Sequence, residues 1–132
     1  MLAQYARAYK TVAVRTATPG HLVLMLFDGA LRFVSAALHG FECEHIGQRN
    51  EQVHNNAIKT QNILRELQCS LDMKVGGEFS QRMHALYEYM LDQLLKANMA
   101  KNPEPFRIVE KLLSEIRDAW AQMLEQTVSQ AA

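Results

Sequence analysis

The sequence is poor in the residues that build catalytic and metal centres. Its 132 residues include two cysteines, Cys43 and Cys69, whose number and spacing fit neither a disulfide framework nor a zinc site. It contains no glycine-rich phosphate motif and no His-Glu-x-x-His zinc motif. The 14 basic and 14 acidic residues balance, which argues against the basic surface of a nucleic-acid-binding protein. The sequence therefore predicts no catalytic residue, no cofactor, no metal and no nucleic-acid partner.

A secretory signal is also missing from the N-terminus. Residues 1–7 have neither an apolar region nor a small-residue cleavage site, and few cysteines suggest a reducing compartment, so we expect a cytoplasmic protein. The apolar run that begins at Leu22 resembles a membrane span. Asp28 and Arg32 lie near its middle, where a charge costs roughly 2.5–3.5 kcal/mol. We therefore expect no membrane insertion.

The stretch from Thr18 to Phe41 is the most apolar part of the chain. Thr18 is a good N-cap and Pro19 suits the first position of a helix. The polar residues that follow fall on one narrow stripe, which leaves an apolar arc of roughly 240° where a surface helix needs about 100°. Periodicity alone favours full burial over a binding surface, and both interpretations stay open. The polar positions are His21, Asp28, Arg32, Ser35, His39 and Glu42.

Three further helices follow, with apolar residues three or four positions apart. We predict them from Asn50, as a cap, to Leu71, from Glu78 to Asn98, and from Pro103 to Thr127, with Asn102 as the cap of the last. Lys74 to Gly77 form a turn. On one face of the second helix we expect Val53, Ala57, Leu64, Leu67 and Leu71, with Ile58 and Ile63 off that face. The apolar stripe of the third helix consists of Phe79, Met83, Leu86, Tyr87, Met90 and Leu94. The apolar stripe of the fourth helix consists of Val109, Leu112, Leu113, Ile116, Trp120, Met123 and Leu124.

Similar helix lengths and short connections predict an all-α protein, an antiparallel four-helix up-down-up-down bundle. We expect a single domain over 1–132, with the bundle over 18–127 and a frayed tail over 128–132. Residues 1–17 hold Leu2, Tyr5, Tyr9 and Val12 at helical spacing. A helix this short is marginal in water, so we expect this segment to be ordered only when it docks on the bundle.

One alternative to a binding protein is a metal- or redox-dependent bundle enzyme. It would use Glu42, Cys43 and His45, which lie close together after the first helix. Zinc needs ligands held tetrahedrally by ordered backbone, and a loop with one cysteine is poor material for such a site. Solvated polar residues are the favoured interpretation.

Residues 14–33, Val-Arg-Thr-Ala-Thr-Pro-Gly-His-Leu-Val-Leu-Met-Leu-Phe-Asp-Gly-Ala-Leu-Arg-Phe, closely resemble the signature of the FliS family, the flagellin-specific export chaperones. Three later segments are similar to that family in order and spacing: 57–72, 76–90 and 112–120. Ala8-Tyr9 also resembles the tyrosine-bearing N-terminal segment of the family. The resemblance covers about residues 5–125. The sequence departs from the family pattern at Gly20, at His21 and in the loop over 43–50.

This resemblance implies a cytoplasmic bacterial chaperone without enzymatic activity. It implies that the bundle binds the disordered C-terminal segment of flagellin one-to-one in apolar grooves, blocks premature polymerisation and aids delivery to the flagellar type III export gate. It also implies that the N-terminal segment covers one groove until the client displaces it. The alternative is a regulatory bundle that sequesters other flagellar proteins, such as an anti-sigma factor, through the same surface. The candidate flagellin-binding and lid residues are Tyr5, Tyr9, Val12, Leu22, Val23, Leu26, Phe27, Ala30, Leu31 and Val34.

Overall fold

Four helices make up the computed structural model, which describes residues 18–131 and side chains as far as 126. They are α1 (Pro19–Gly40), α2 (Ile46–Cys69), α3 (Gly77–Ala100) and α4 (Pro103–Ala131), and residues 18–131 contain no strand. Helix α1 packs against α2 and α4, and α3 packs against the same two helices. Because consecutive helices are neighbours joined by short connections, the arrangement is the predicted all-α four-helix bundle.

Two of the predicted helix starts are confirmed in atomic detail. The Thr18 hydroxyl oxygen accepts a hydrogen bond from the backbone N–H of His21 at 3.3 Å, with Pro19 following it. The Asn102 side-chain oxygen accepts from the backbone N–H of Glu104 at 3.1 Å, just before α4 begins at Pro103. Both caps satisfy N–H groups that have no partner within the helix.

The start of α2 was predicted wrongly. Asn50 lies inside the helix, which begins at Ile46 after the cap residue His45. The His45 ring nitrogen Nδ1 accepts from the backbone N–H of Gln48 at 3.2 Å. An imidazole thus takes the capping role, and Gly47 does not stop the helix because one glycine costs only about 1 kcal/mol there.

The other helix ends differ from prediction by a few residues. Helix α1 ends at Gly40, whereas the apolar pattern predicts an end near Glu42, and α2 ends at Cys69 instead of Leu71. Helix α4 continues to Ala131, past the expected end at Thr127, since its last residues include neither glycine nor proline. Helix boundaries depend on local capping hydrogen bonds, which the spacing of apolar residues does not predict.

The core runs along the centre of the bundle between all four helices. Ile63 was predicted to lie off the buried face of α2, yet it is only 4% exposed. A methyl group added at Gly29 of α1 would lie 3.3 Å from the Ile63 side chain, so the missing side chain of Gly29 makes room for it. The buried apolar residues are Phe27, Ala30, Val34, Ala37, Val53, Ala57, Ile63, Leu64, Leu67, Tyr87, Met90, Leu94, Ala97, Phe106, Val109 and Leu113.

Among the described helices, α1 is the one that is long and apolar enough to cross a membrane. Within the bundle it serves as a core helix, because Phe27, Ala30 and Val34 are buried against its neighbours. Asp28, in the middle of its polar stripe, forms an ion pair with Arg117 of α4 at 2.8 Å. The apolar arc of α1 is thus used largely for packing.

Candidate functional site

A cleft of about 530 Å³ opens at the end of the bundle where α1 and α3 begin and α2 ends. We call it the apolar cleft, because most of its lining side chains carry no polar group. Ligand sites are commonly concave, largely apolar and of similar volume. The lining residues are Val23, Phe27, Leu67, Ser70, Leu71, Asp72, Val75, Gly76, Phe79, Ser80, Met83, Tyr87, Ile116, Ala119, Trp120 and Met123.

One wall of the apolar cleft is held by contacts between α4 and the first turns of α1. The Trp120 indole N–H donates to the backbone carbonyl of Gly20 at 2.9 Å, and its ring lies edge-on to Phe27 at 6.3 Å between centroids. A methyl group at Gly20 would lie 2.6 Å from Leu124, so glycine permits this close approach. The Asp28–Arg117 ion pair ties the same two helices, and its hydrogen bond raises the pKa of Arg117.

The rim between α2 and α3 is a hydrogen-bonded loop. The Asp72 carboxylate accepts from the backbone N–H groups of Lys74 at 3.1 Å and Val75 at 3.0 Å. The Asp72 carbonyl accepts from the Gly76 N–H at 2.9 Å and from the Ser80 hydroxyl at 3.0 Å. A methyl group at Gly76 would lie 1.6 Å from the Ser80 hydroxyl oxygen, so only glycine fits. The loop therefore has one defined shape.

Large apolar side chains around this end of the bundle are partly or mostly exposed. Val75 is 85% exposed, Phe79 62%, Met73 44% and Met123 42%. Isolated exposed apolar residues are ordinary on protein surfaces, but several around one apolar concavity indicate an interaction site. Methionine and aromatic side chains also suit an adaptable binding surface. The apolar cleft and its rim combine a concave apolar surface with exposed apolar side chains.

Tyr87 stands out among the polar residues that line the apolar cleft. It is only 3% exposed, and burial raises the pKa of its phenol to about 12. The hydroxyls of Ser70 and Ser80 donate to backbone carbonyls of Leu67 and Asp72. Within the described part of the chain, the Tyr87 hydroxyl makes no hydrogen bond. With its raised pKa, this phenol stays neutral at physiological pH.

The candidate residues predicted on α1 separate into three environments. Val23 and Phe27 line the apolar cleft. Ala30 and Val34 are fully buried in the core and do not reach the cleft. Leu22, Leu26 and Leu31 are half-buried outside the cleft lining, and Leu31 borders a separate polar groove between α1 and α4. The three predicted N-terminal residues Tyr5, Tyr9 and Val12 lie outside the described residues.

Most of the apolar cleft comes from residues that the sequence analysis assigned to helix cores. Phe79 was placed on the buried stripe of α3, yet it extends into solvent at the rim. Trp120 and Met123 were placed on the buried stripe of α4, yet both line the cleft. One available signal was the length of these apolar stripes, which reach the end of the bundle that holds the cleft. Val75, in a glycine-containing turn, was the other signal.

The residues of the alternative metal site have structural partners. The His45 ring caps α2, the Cys43 thiol lies 3.6 Å from the Gln48 side-chain oxygen, and the Glu42 carboxylate lies 3.8 Å from the His39 ring. Across residues 18–131, no three or more histidine, cysteine, aspartate or glutamate side chains are grouped to hold a metal ion. This part of the chain offers no support for a metal enzyme.

Comparison with known proteins agrees with the resemblance seen in residues 14–33. Residues 1–127 match the family model described as Flagellar protein FliS. The chain belongs to the FliS family. It is 38% identical over 118 residues to the Flagellar secretion chaperone FliS of Bacillus subtilis, covering 89% of this chain and 84% of that protein. The same-named proteins of Salmonella typhimurium and Escherichia coli are 35% and 36% identical, covering 90% and 91% of this chain and 86% of each relative.

FliS family membership gives the apolar cleft a functional context. A four-helix bundle with an open apolar cleft at one end suits a protein that binds another protein. The family supports a role as a flagellar export chaperone. The apolar cleft is the candidate surface for that role.

Proposed function

We propose that this FliS family member is a non-enzymatic cytoplasmic chaperone that binds the disordered C-terminal segment of flagellin one-to-one. In this proposal the client folds into a helix as its apolar face enters the apolar cleft. Covering that face blocks premature polymerisation, and the complex then travels to the flagellar type III export gate. The export step rests on family membership, whereas the binding step rests on the geometry of the cleft.

The observation that carries the binding step is the open apolar cleft itself. It offers Phe27, Met83 and Ile116 as an inner apolar surface, with Phe79 and Met123 exposed at its rim. Helix-in-groove recognition uses this combination, in which successive turns of a partner helix insert apolar side chains from one face. A disordered client suits it because ordering on binding limits affinity and leaves the complex reversible.

Titration of the full-length protein with a peptide of the flagellin C-terminal segment tests the proposal. Calorimetry should give a one-to-one complex at micromolar or lower concentrations. The chain has a single tryptophan, Trp120, which lines the apolar cleft, so its fluorescence should shift as the peptide covers the indole. Absence of binding at micromolar concentrations would contradict the proposal.

A matched pair of variants on α3 tests where the peptide binds. Phe79→Ala removes a large aromatic side chain from the edge of the cleft, and we expect it to weaken peptide binding by at least about tenfold, because the bound peptide would cover this ring. Leu95→Ala removes a side chain of similar exposure, 52%, that borders a different groove between α2 and α3. Its affinity should equal that of wild type. Equal losses in both variants would place the peptide elsewhere.

We further propose that residues 1–17 cover the apolar cleft until the client displaces them, through Tyr5, Tyr9 and Val12. The support is positional: Thr18 begins α1 at the end of the bundle that holds the cleft. Tyr9→Ala in the full-length protein should then raise the apparent affinity for the flagellin peptide, because a competing segment is weakened. An unchanged affinity would contradict the proposal that residues 1–17 cover the apolar cleft.

A further inference from the structure

The polar side chains around the apolar cleft differ in whether they already have partners. The Ser70 hydroxyl donates to the Leu67 carbonyl at 2.7 Å, and the Ser80 hydroxyl donates to the Asp72 carbonyl at 3.0 Å. The Asp72 carboxylate accepts two backbone N–H groups of the rim loop. The hydrogen bonds of these three residues stabilise the shape of the rim. The Trp120 indole N–H also has a partner, the Gly20 carbonyl, so Tyr87 is the remaining polar side chain of the lining.

Tyr87 is 3% exposed and lines the apolar cleft, and its hydroxyl has no hydrogen-bond partner within residues 18–131. In that same part of the chain, every fully enclosed side-chain nitrogen or oxygen does have a partner. The phenol oxygen is therefore not fully enclosed, in a residue that lines the apolar cleft. An unpaired hydroxyl in such a place favours a ligand that supplies an acceptor.

We infer that the Tyr87 hydroxyl donates a hydrogen bond to a polar side chain carried within the apolar face of the bound flagellin segment. This inference rests on the proposed function and adds a specificity element to it. A purely apolar helix would leave the hydroxyl unpaired, whereas a helix with an acceptor at the right turn would satisfy it. Tyr87 would thereby select the register in which the client helix occupies the cleft.

A pair of conservative variants tests this role in the full-length protein. Tyr87→Phe removes the hydroxyl and keeps the ring, and we expect roughly 5–30-fold weaker binding of the flagellin C-terminal peptide, because the buried acceptor of the client is left unpaired. Tyr89→Phe makes the same change at a tyrosine that is 44% exposed and outside the cleft lining. Its affinity should match that of wild type.

A double-mutant cycle separates recognition from a structural role. Each polar residue of the peptide is replaced by alanine in turn, and each peptide is titrated into wild type and Tyr87→Phe. We expect one peptide substitution to weaken binding to wild type and to have little further effect on Tyr87→Phe. Both proteins should unfold at the same temperature, since Tyr87 has no hydroxyl partner to lose in the described structure.

Four results would overturn the inference. Equal affinity of wild type and Tyr87→Phe, or a loss without coupling to any peptide position, excludes a hydrogen bond to the client. Tighter binding by Tyr87→Phe would indicate that the hydroxyl binds the chain's own N-terminal segment, which competes with the peptide, instead of the peptide itself. If wild type itself binds no peptide, the proposed function fails and this inference fails with it, so the two failures are distinguishable.

Discussion

The two ends of the bundle each contain an edge-on aromatic pair between α1 and α4, yet only one end is closed. At the closed end, Phe41 and Phe106 lie 5.7 Å apart between centroids, and Phe106 is fully buried. At the cleft end, Phe27 and Trp120 lie 6.3 Å apart, and Trp120 is half-buried beside open space. The difference lies in what α2 and α3 contribute beside each pair.

At the closed end, α3 is capped tightly against α2. Lys101 adopts a left-handed conformation, with φ 51°, and its ammonium donates to the Asn98 carbonyl at 2.8 Å. The Asn98 amide lies 3.0 Å from the His54 ring nitrogen of α2. At the cleft end, the rim loop uses its polar groups on itself and extends Val75 outward. A similar aromatic pair is therefore a core element at one end and a wall of a cleft at the other.

Replacement of one aromatic residue at each end should give the largest contrast. Phe106→Ala leaves a cavity at the closed end, and we expect the free energy of unfolding to fall by about 3–5 kcal/mol. Phe79→Ala at the cleft end should change it by no more than about 0.5 kcal/mol, because the ring is already mostly exposed. Urea denaturation of both variants measures the difference. Similar losses would show that the cleft end is packed like the closed end.

Gly76→Ala should distort the rim loop. The added methyl group would meet the Ser80 hydroxyl and would lie 2.9 Å from the Asp72 carbonyl oxygen, so the bond between these two groups must break. We expect a loss of about 1–3 kcal/mol in the free energy of unfolding, as for other overpacked sites. Thermal and urea unfolding measure it. Stability equal to wild type would mean that the loop has room to adjust.

The ionisation of Tyr87 should make stability depend on pH in alkaline solution. Its pKa is about 12 in the folded protein and 10.0 as a free phenol, because burial disfavours the phenolate. Below pH 10 both states keep the proton, whereas between pH 10 and 12 the unfolded chain loses it first. The free energy of unfolding should therefore fall over that range, by up to about 2 kcal/mol.

Comparison with Tyr87→Phe isolates this effect from other alkaline titrations. The variant has no proton to lose at this position, so its stability should fall less than that of wild type between pH 10 and 12. Urea denaturation at several pH values gives the two curves. Parallel curves would contradict the burial of the phenol, and with it the depth of Tyr87 in the cleft.

The ion pair between α1 and α4 should have the smallest effect. Asp28 and Arg117 are 43% and 33% exposed at the side chain, so water screens much of their attraction. We expect Asp28→Asn to lower the free energy of unfolding by less than about 1 kcal/mol, and to do so less at high salt. A loss above 2 kcal/mol would show that the pair, rather than aromatic packing, fixes α4 beside the cleft.

The fold was largely predictable because its determinants are local or periodic. The caps at Thr18 and Asn102 act within a few residues, and apolar residues three or four positions apart indicate helices without reference to the rest of the chain. The start of α2 was missed because the capping group is the His45 ring, an unusual cap residue. Ile63 was missed because its burial depends on the empty position at Gly29 of another helix.

The candidate site was predictable only in part. Val23 and Phe27 follow from the broad apolar arc of α1, but periodicity gives Ala30 and Val34 the same character, and these two lie in the core. Phe79 has the same pattern as Met90, three turns along α3, yet one extends into solvent and the other is fully buried. The exposure of a side chain at such a position depends on which neighbouring helix packs beside it. The local sequence pattern does not predict that neighbour.

The sequence alone determined the four helices, their order, the bundle class and the family to which the chain belongs, because caps, apolar periods and family motifs are properties of short segments. Tertiary structure alone decided that one end of the bundle closes and the other opens. That outcome depends on distant pairs such as Trp120 with Gly20, which meet only when α4 lies beside α1. The apolar cleft is lined by residues of all four helices and of the loop between α2 and α3, so it exists only once the bundle has folded, as does the placement in it of Tyr87, whose hydroxyl has no partner within residues 18–131.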